Sequence, residues 1–212
     1  MAQTHTFSKG EEIANATTHG IGALLSIVAL VVLVVDAYSY GSVWHVFSFT
    51  LFGSTMVLLY TASTFVHALP QGKAKNVFEV LDHSSIYFFI AGTYAPYLLL
   101  AIRGALGWTI FVVVFGLAIG GTVFKSFFVK KFLVTSTLLY VVMGWLIVFA
   151  WHPLVQHIPS LSLYLLILGG VLYTVGSIFY VWRGFRYHHM AWHLFVLAGT
   201  TAHFFSILFL LP

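Results

Sequence analysis

Seven apolar runs, separated by short polar or breaker-containing stretches, organise the chain. A membrane-spanning helix takes about 20 predominantly apolar residues. The runs therefore predict spans over roughly residues 19–37, 44–68, 80–102, 106–123, 133–151, 161–182 and 190–211. Pro70-Gln71-Gly72 stops the second run, and Pro153 predicts the end of the fifth. The N-terminal stretch MAQTHTFSKGEEIANATTHG is polar and holds no apolar core of the signal-peptide kind. The pattern shows no linker, so residues 1–212 are expected to form a single seven-helix transmembrane domain, with 1–18 as a polar cytoplasmic segment. In the fourth run, Gly116-xxx-Gly120 predicts a close-packing helix face.

Composition narrows the class. Hydrophobic residues make up 60% of the chain and charged residues 7%, against roughly 25% charged in soluble domains. So few charges cannot cover a water-facing surface, and so much apolar surface excludes disorder. The all-α membrane bundle is what remains. There is no cysteine, which removes disulfides, thiolate ligands and cysteine nucleophiles together. A net charge of +4, scattered along the chain, gives no patch for nucleic acid. The unusual feature is 11 histidines against 5 acidic residues, because ionisable side chains within a membrane are costly unless partnered.

Basic residues give the orientation. Lys9, Lys73, Lys75, Lys125, Lys130, Lys131, Arg183 and Arg186 fall on one side of a seven-span chain, and Arg103 alone on the other. Cytoplasmic loops carry the Lys/Arg excess, so the N-terminus is expected in the cytoplasm and the C-terminus outside.

With that topology, four segments bring polar groups to one depth on the cytoplasmic side. These are Glu12, Asn15 and His19 before and at the start of the first span, Ser63 and His67 at the end of the second, Asp82 and His83 in the third, and His189 and His193 in the seventh. Asp36, His45, His152 and His157 are spread over the external ends. Ser63/His67 and His189/His193 are i,i+4 pairs, so each pair shares a helix face. Two such histidines can reach one metal ion, and a third ligand from the second span completes a three-histidine set. That set leaves an open position for water, the arrangement of catalytic zinc, and neutral imidazole suits zinc better than magnesium or calcium. Asp82 could orient a histidine, hold the water or accept its proton, and Ser63 could donate a hydrogen bond at the same centre. Helix-end histidines paired with carbonyls or lipid phosphates are the plainer alternative. His83 lies about 100° around the helix from Asp82, so the two are not expected to face one centre. His203 is expected to make a packed polar contact, and His188 to face the headgroups. Glu12, Asn15 and His19 are read as the start of a helix, with acids near its positive end.

At these residues the sequence resembles the hemolysin III family, the bacterial branch of the progestin and adipoQ receptor superfamily. The resemblance covers almost the whole chain. It is carried by Glu12-x-x-Asn15-x-x-x-His19, Ser63-x-x-x-His67, Leu81-Asp82-His83-Ser84-Ser85-Ile86, Gly92-Thr93-Tyr94-Ala95-Pro96, the stretch from Tyr140 to Gly144-Trp145, and His189-x-x-x-His193 with His203 beyond. It implies a seven-helix bundle with a cytoplasmic N-terminus in the cell membrane. It also implies zinc held by His67, His189 and His193, with Ser63 and Asp82 nearby. Adiponectin receptors and alkaline ceramidases look related, so the resemblance further implies a zinc-dependent hydrolase of a lipid amide or ester, acting on membrane lipids. A membrane-active cytolysin and a non-enzymatic sensor of membrane state with structural zinc are the alternatives. A retinal protein is excluded, because the seventh span has no lysine for a Schiff base. The orientation predicts that a C-terminal reporter active only in the cytoplasm is silent; activity there contradicts the span count or the topology.

Overall fold

The computed structural model describes residues 7–212, so the first six residues of the polar N-terminal segment lie outside the described residues. It contains seven helices long and apolar enough to cross a membrane, and no strand among the described residues. Helix α1 is Lys9–Tyr40, α2 Val43–Ala68 and α3 Lys73–Pro96, which runs on as a π-helical segment, Tyr97–Ile102. Helix α4 is Gly104–Phe128. The fifth span joins α5, Leu133–Gly144, through a 3₁₀ segment, Trp145–Ala150, to α6, Trp151–His157. Helices α7, Ser160–Val181, and α8, His188–Leu208, are the sixth and seventh spans.

Three features depart from the expectations of sequence. First, α1 starts ten residues before its apolar run, because Ser8 and Glu11 form a capping box: the Glu11 carboxylate accepts from the Ser8 backbone N–H at 2.9 Å, and the Ser8 hydroxyl accepts from the Glu11 N–H at 3.4 Å. Glu12, Asn15 and His19 are thereby helical, and Asn15 and His19 join the inward stripe with Gly22, Ser26, Leu33 and Ala37. Second, Pro153 does not end the fifth span. It sits in the first turn of α6, where its missing N–H would lack a helical partner anyway. The irregularity lies upstream, at the 3₁₀ segment, and Tyr94 satisfies it. Its hydroxyl donates to the carbonyls of Met143 and Gly144 at 2.9 and 2.8 Å and accepts from the Ile147 N–H at 2.8 Å. Third, Gly116 and Gly120 face open space rather than a neighbouring helix. Helix α4 instead meets α3 through buried Val114 and Ala118 and through Gly121, where a Cβ would sit 2.5 Å from the Tyr87 ring.

Helix α1 lies between α2 and α8, α2 packs on α3, α3 on α4, and α7 on α8, while the fifth span touches α3 and α7 more sparingly. Gly22 is what lets α1 close on both neighbours. A Cβ there would lie 2.6 Å from the Tyr60 ring of α2 and 2.9 Å from Leu197 of α8. The outward faces are apolar, as Leu24, Val28, Val31 and Val35 of α1 show, and suit contact with lipid. Removing the buried hydroxyl in Tyr94→Phe leaves a backbone N–H and two carbonyls short of a partner. That should lower stability by about 1–3 kcal/mol, read as a fall in the thermal unfolding midpoint in detergent; an unchanged midpoint contradicts the role given to Tyr94.

Candidate metal centre

The second, third and seventh spans deliver the side chains that sequence spacing singled out. His67 ends α2 one turn after Ser63, and His189 and His193 open α8 one turn apart. Ligand nitrogens of His67, His189 and His193 all lie within 4.8 Å of one another. A tetrahedral ion with nitrogens at about 2.0–2.1 Å wants them roughly 3.4 Å apart, a gap that side-chain rotation closes. His67 and His193 are buried, and His189 is half-buried.

Hydrogen bonds fix which ring nitrogen is free. The Nδ1 of His67 lies 2.6 Å from a carboxylate oxygen of Glu12. A carboxylate accepts, so Nδ1 carries the proton and Nε2 carries the lone pair; that Nε2 is buried with no protein partner. The Nδ1 of His193 lies 3.3 Å from the Asn15 carbonyl and 3.2 Å from the Thr18 hydroxyl. Thr18 spends its proton on the Ala14 and Asn15 carbonyls, so His193 also donates from Nδ1 and presents Nε2. A metal-binding histidine typically donates its other N–H to a carboxylate or carbonyl in this manner, which orients the ring and raises its basicity. An orphaned, buried Nε2 and two oriented imidazoles therefore fit a divalent metal ion, and three nitrogen ligands suit a late first-row ion.

Glu12 is the residue whose part the sequence did not disclose. It reads there as an acid near a helix start, yet its carboxylate spans three helices, accepting from His67 of α2 and, at 2.8 Å, from the Lys75 ammonium of α3. Its place at one depth with the histidines, and in the Glu12-x-x-Asn15-x-x-x-His19 motif, was the available signal. Asn15 and His19 also come to the centre, since the His19 ring stacks on His193 at 3.4 Å between centroids and 10° between planes.

A cavity of about 140 Å³ begins at this centre. His19, Ser63, Asp82, His189 and His193 border its polar end. Apolar and aromatic groups from α3, α5, α7 and α8 line the remainder, down to Tyr97, Ile147 and Leu166. His83 also borders it, contrary to expectation, because a cavity this wide admits two adjacent positions of one helix. Its nitrogens are nonetheless occupied by the Glu79 carbonyl at 2.8 Å and the Tyr180 hydroxyl at 3.0 Å. His188 is not a headgroup-facing loop residue. It is the first residue of α8, buried, with its Nδ1 donating to the Phe179 carbonyl at 3.2 Å. His203 makes the packed contact expected of it, through Nε2 to the Leu166 carbonyl at 3.0 Å. On the far side, His45, His152 and His157 bond within their own helices or caps.

In metal competition against a chelator, His67→Ala and His193→Ala should each lose most of the affinity. Glu12→Gln, which keeps the shape but loses the charge, should weaken it by about 10–100-fold. Full metal retention by both histidine variants contradicts the site.

Comparison with known proteins agrees with the architecture. The Haemolysin-III related family model matches residues 7–204. The chain is 53% identical over 203 residues to the "Hemolysin-3 homolog" of Bacillus subtilis (strain 168), covering 96% of this chain and 95% of that one. It is 50% identical over 199 residues to "Hemolysin-3" of Bacillus cereus, covering 94% and 91%. It is also 28% identical over 204 residues to the human "Monocyte to macrophage differentiation factor", covering 93% and 83%. With seven apolar helices and this family match over nearly its whole length, the chain belongs to the haemolysin III family, the bacterial branch of the progestin and adipoQ receptor superfamily, and is a multi-pass cell-membrane protein.

Proposed function

We propose that this protein is a zinc-dependent hydrolase of a lipid amide or ester, working within the membrane near its cytoplasmic face. The observation that carries this reading is the cavity itself, which joins His189 and His193 of the triad, Ser63 and Asp82 at one end to apolar walls along the remainder. An apolar acyl chain suits those walls, and its carbonyl then lies at the polar end. His67, His189 and His193 hold the ion, with Glu12 orienting His67 and the Asn15 carbonyl orienting His193. Zinc at such a site supplies a Lewis acid for the carbonyl and a nucleophilic water at neutral pH.

The protein's own part is proton transfer. Hydrolysis forms a bond from the water oxygen to the carbonyl carbon and breaks the bond to the leaving nitrogen or oxygen. Asp82 takes the proton released from the water and returns it to the leaving group. Ser63 borders the same end of the cavity and supplies a hydroxyl that hydrogen-bonds the water or the developing oxyanion. The buried setting strengthens each of these interactions, because water is scarce there.

Asp82→Asn separates chemistry from architecture. The variant should fold and, at saturating zinc, carry its metal, while product release from a lipid amide or ester falls by roughly 10²–10⁴-fold. Equal rates at matched zinc content rule out Asp82 as the base. No turnover by the parent across a broad panel of lipid amides and esters contradicts the hydrolase reading and favours a sensor with structural zinc.

A further inference from the structure

The chain enters α1 across the histidine triad. Phe7, the residue before the Ser8 cap, is half-buried. Its ring centroid lies 5.0 Å from that of His189 and 5.7 Å from that of His67, two of the three candidate ligands. His188 stands at 5.9 Å. An apolar residue before a helix cap often packs on the fourth residue of its own helix. Here that residue is Glu12, whose carboxylate is committed to His67 and Lys75. Phe7 packs on the histidines instead.

The turn that follows is tied to three other helices. Glu11 closes the capping box with Ser8 and also accepts from the Tyr187 backbone N–H at 3.1 Å, at the cap of α8. Glu12 accepts from His67 of α2 and Lys75 of α3. Residues 7–12 thus form a strap running from the start of α8 to α2 and α3. Its Ser8–Glu11 bonds are exposed to solvent, and short terminal segments held by such bonds open locally at low cost.

The strap and the cavity meet different members of the triad. His189 and His193 border the cavity, and His67 is not among its walls. Phe7 lies against His67 and His189, and the Nε2 of His67 is sealed from water. His189 makes no hydrogen bond among the described residues; its ring packs on Phe7 at 5.0 Å and Tyr180 at 5.8 Å. A metal ion has to reach nitrogens of all three rings. Along the cavity it would have to pass apolar and aromatic walls, and a bare or hydrated dication pays heavily for such surroundings. Beneath the strap it meets carboxylates and imidazoles.

We propose that Phe7 and the opening turn of α1 form a movable cover on the metal centre, and that zinc enters and leaves beneath it rather than along the cavity. The proposal rests on the reading of the triad as a metal site and is independent of the hydrolase reading.

The test uses the full-length protein in detergent, loaded with zinc alone. Release is timed after adding an excess of chromogenic chelator, reloading is timed on the metal-free protein, and affinity comes from competition at equilibrium. Phe7→Ala removes the cover and leaves the Ser8–Glu11 box. Release and reloading should both quicken by about tenfold or more, while affinity stays within about threefold. Phe7→Trp keeps an aromatic cover and should exchange zinc at the parent's rates. Glu11→Gln removes the charge that holds the Tyr187 N–H and should quicken both steps. Unchanged exchange in both Phe7→Ala and Glu11→Gln overturns the proposal. Faster release with unaltered reloading also overturns it, since Phe7 then holds the ligands in place rather than covering them. A lower unfolding midpoint in metal-free Phe7→Ala, together with loss of zinc, does the same by showing a structural role. A parent that binds no zinc removes the metal site and this proposal together. Exchange governed by Phe7, without lipid turnover, leaves the proposal standing and contradicts the hydrolase reading. Turnover with unchanged exchange in both variants does the reverse.

Discussion

The arrangement hangs on one hydrogen-bonded ion cluster: the Glu12 carboxylate between the His67 imidazole at 2.6 Å and the Lys75 ammonium at 2.8 Å. In an apolar medium a carboxylate without partners is prohibitively costly. With them it becomes a three-way tie, joining α1 to α2 and α3. The same contact decides chemistry as well as packing. By accepting the hydrogen bond from the Nδ1–H of His67, Glu12 leaves Nε2 without a proton or a protein partner. Three converging imidazoles, two of them with their lone pairs set in this way, form a receptor for a cation, whereas freely rotating ones would not.

The rest of the polar end is arranged by the same economy. A membrane bundle cannot hide polar side chains among water molecules, so each must be answered by another group. His193 is answered by a backbone carbonyl of α1, His83 by Tyr180, His203 by the Leu166 carbonyl, and the broken ladder of the fifth span by Tyr94. Against that background, Ser63 and Asp82 stand together at the polar end of a largely apolar cavity. The sparing contact of the fifth span with its neighbours leaves that cavity room among α3, α5, α7 and α8.

Much of this was legible in the chain before any coordinates. Continuous apolar runs are a strong signal, and the seven spans follow from them. The i,i+4 spacing put Ser63 with His67 and His189 with His193, and loop charges put those pairs at one depth. Contacts between helices were not legible. Nothing in the spacing of Glu12 indicates that α1 lies beside α2, so its bond to His67 was invisible, as was the stacking of His19 on His193. Helix ends misled for local reasons. A capping box at Ser8 and Glu11 began α1 well before its apolar run, and Pro153 sits where a proline is harmless. Gly116-xxx-Gly120 failed as a packing motif because small residues permit close approach without compelling it, and α4 uses Gly121 instead.

The central claim is that three imidazoles of two helices hold a zinc ion. X-ray absorption at the zinc edge on the purified protein tests it most directly. The account predicts a four-coordinate centre with about three imidazole nitrogens at 2.0–2.1 Å and a light-atom fourth ligand, with no sulfur contribution, since the chain has no cysteine. A six-coordinate shell of oxygens, or a spectrum with no imidazole scattering, contradicts it.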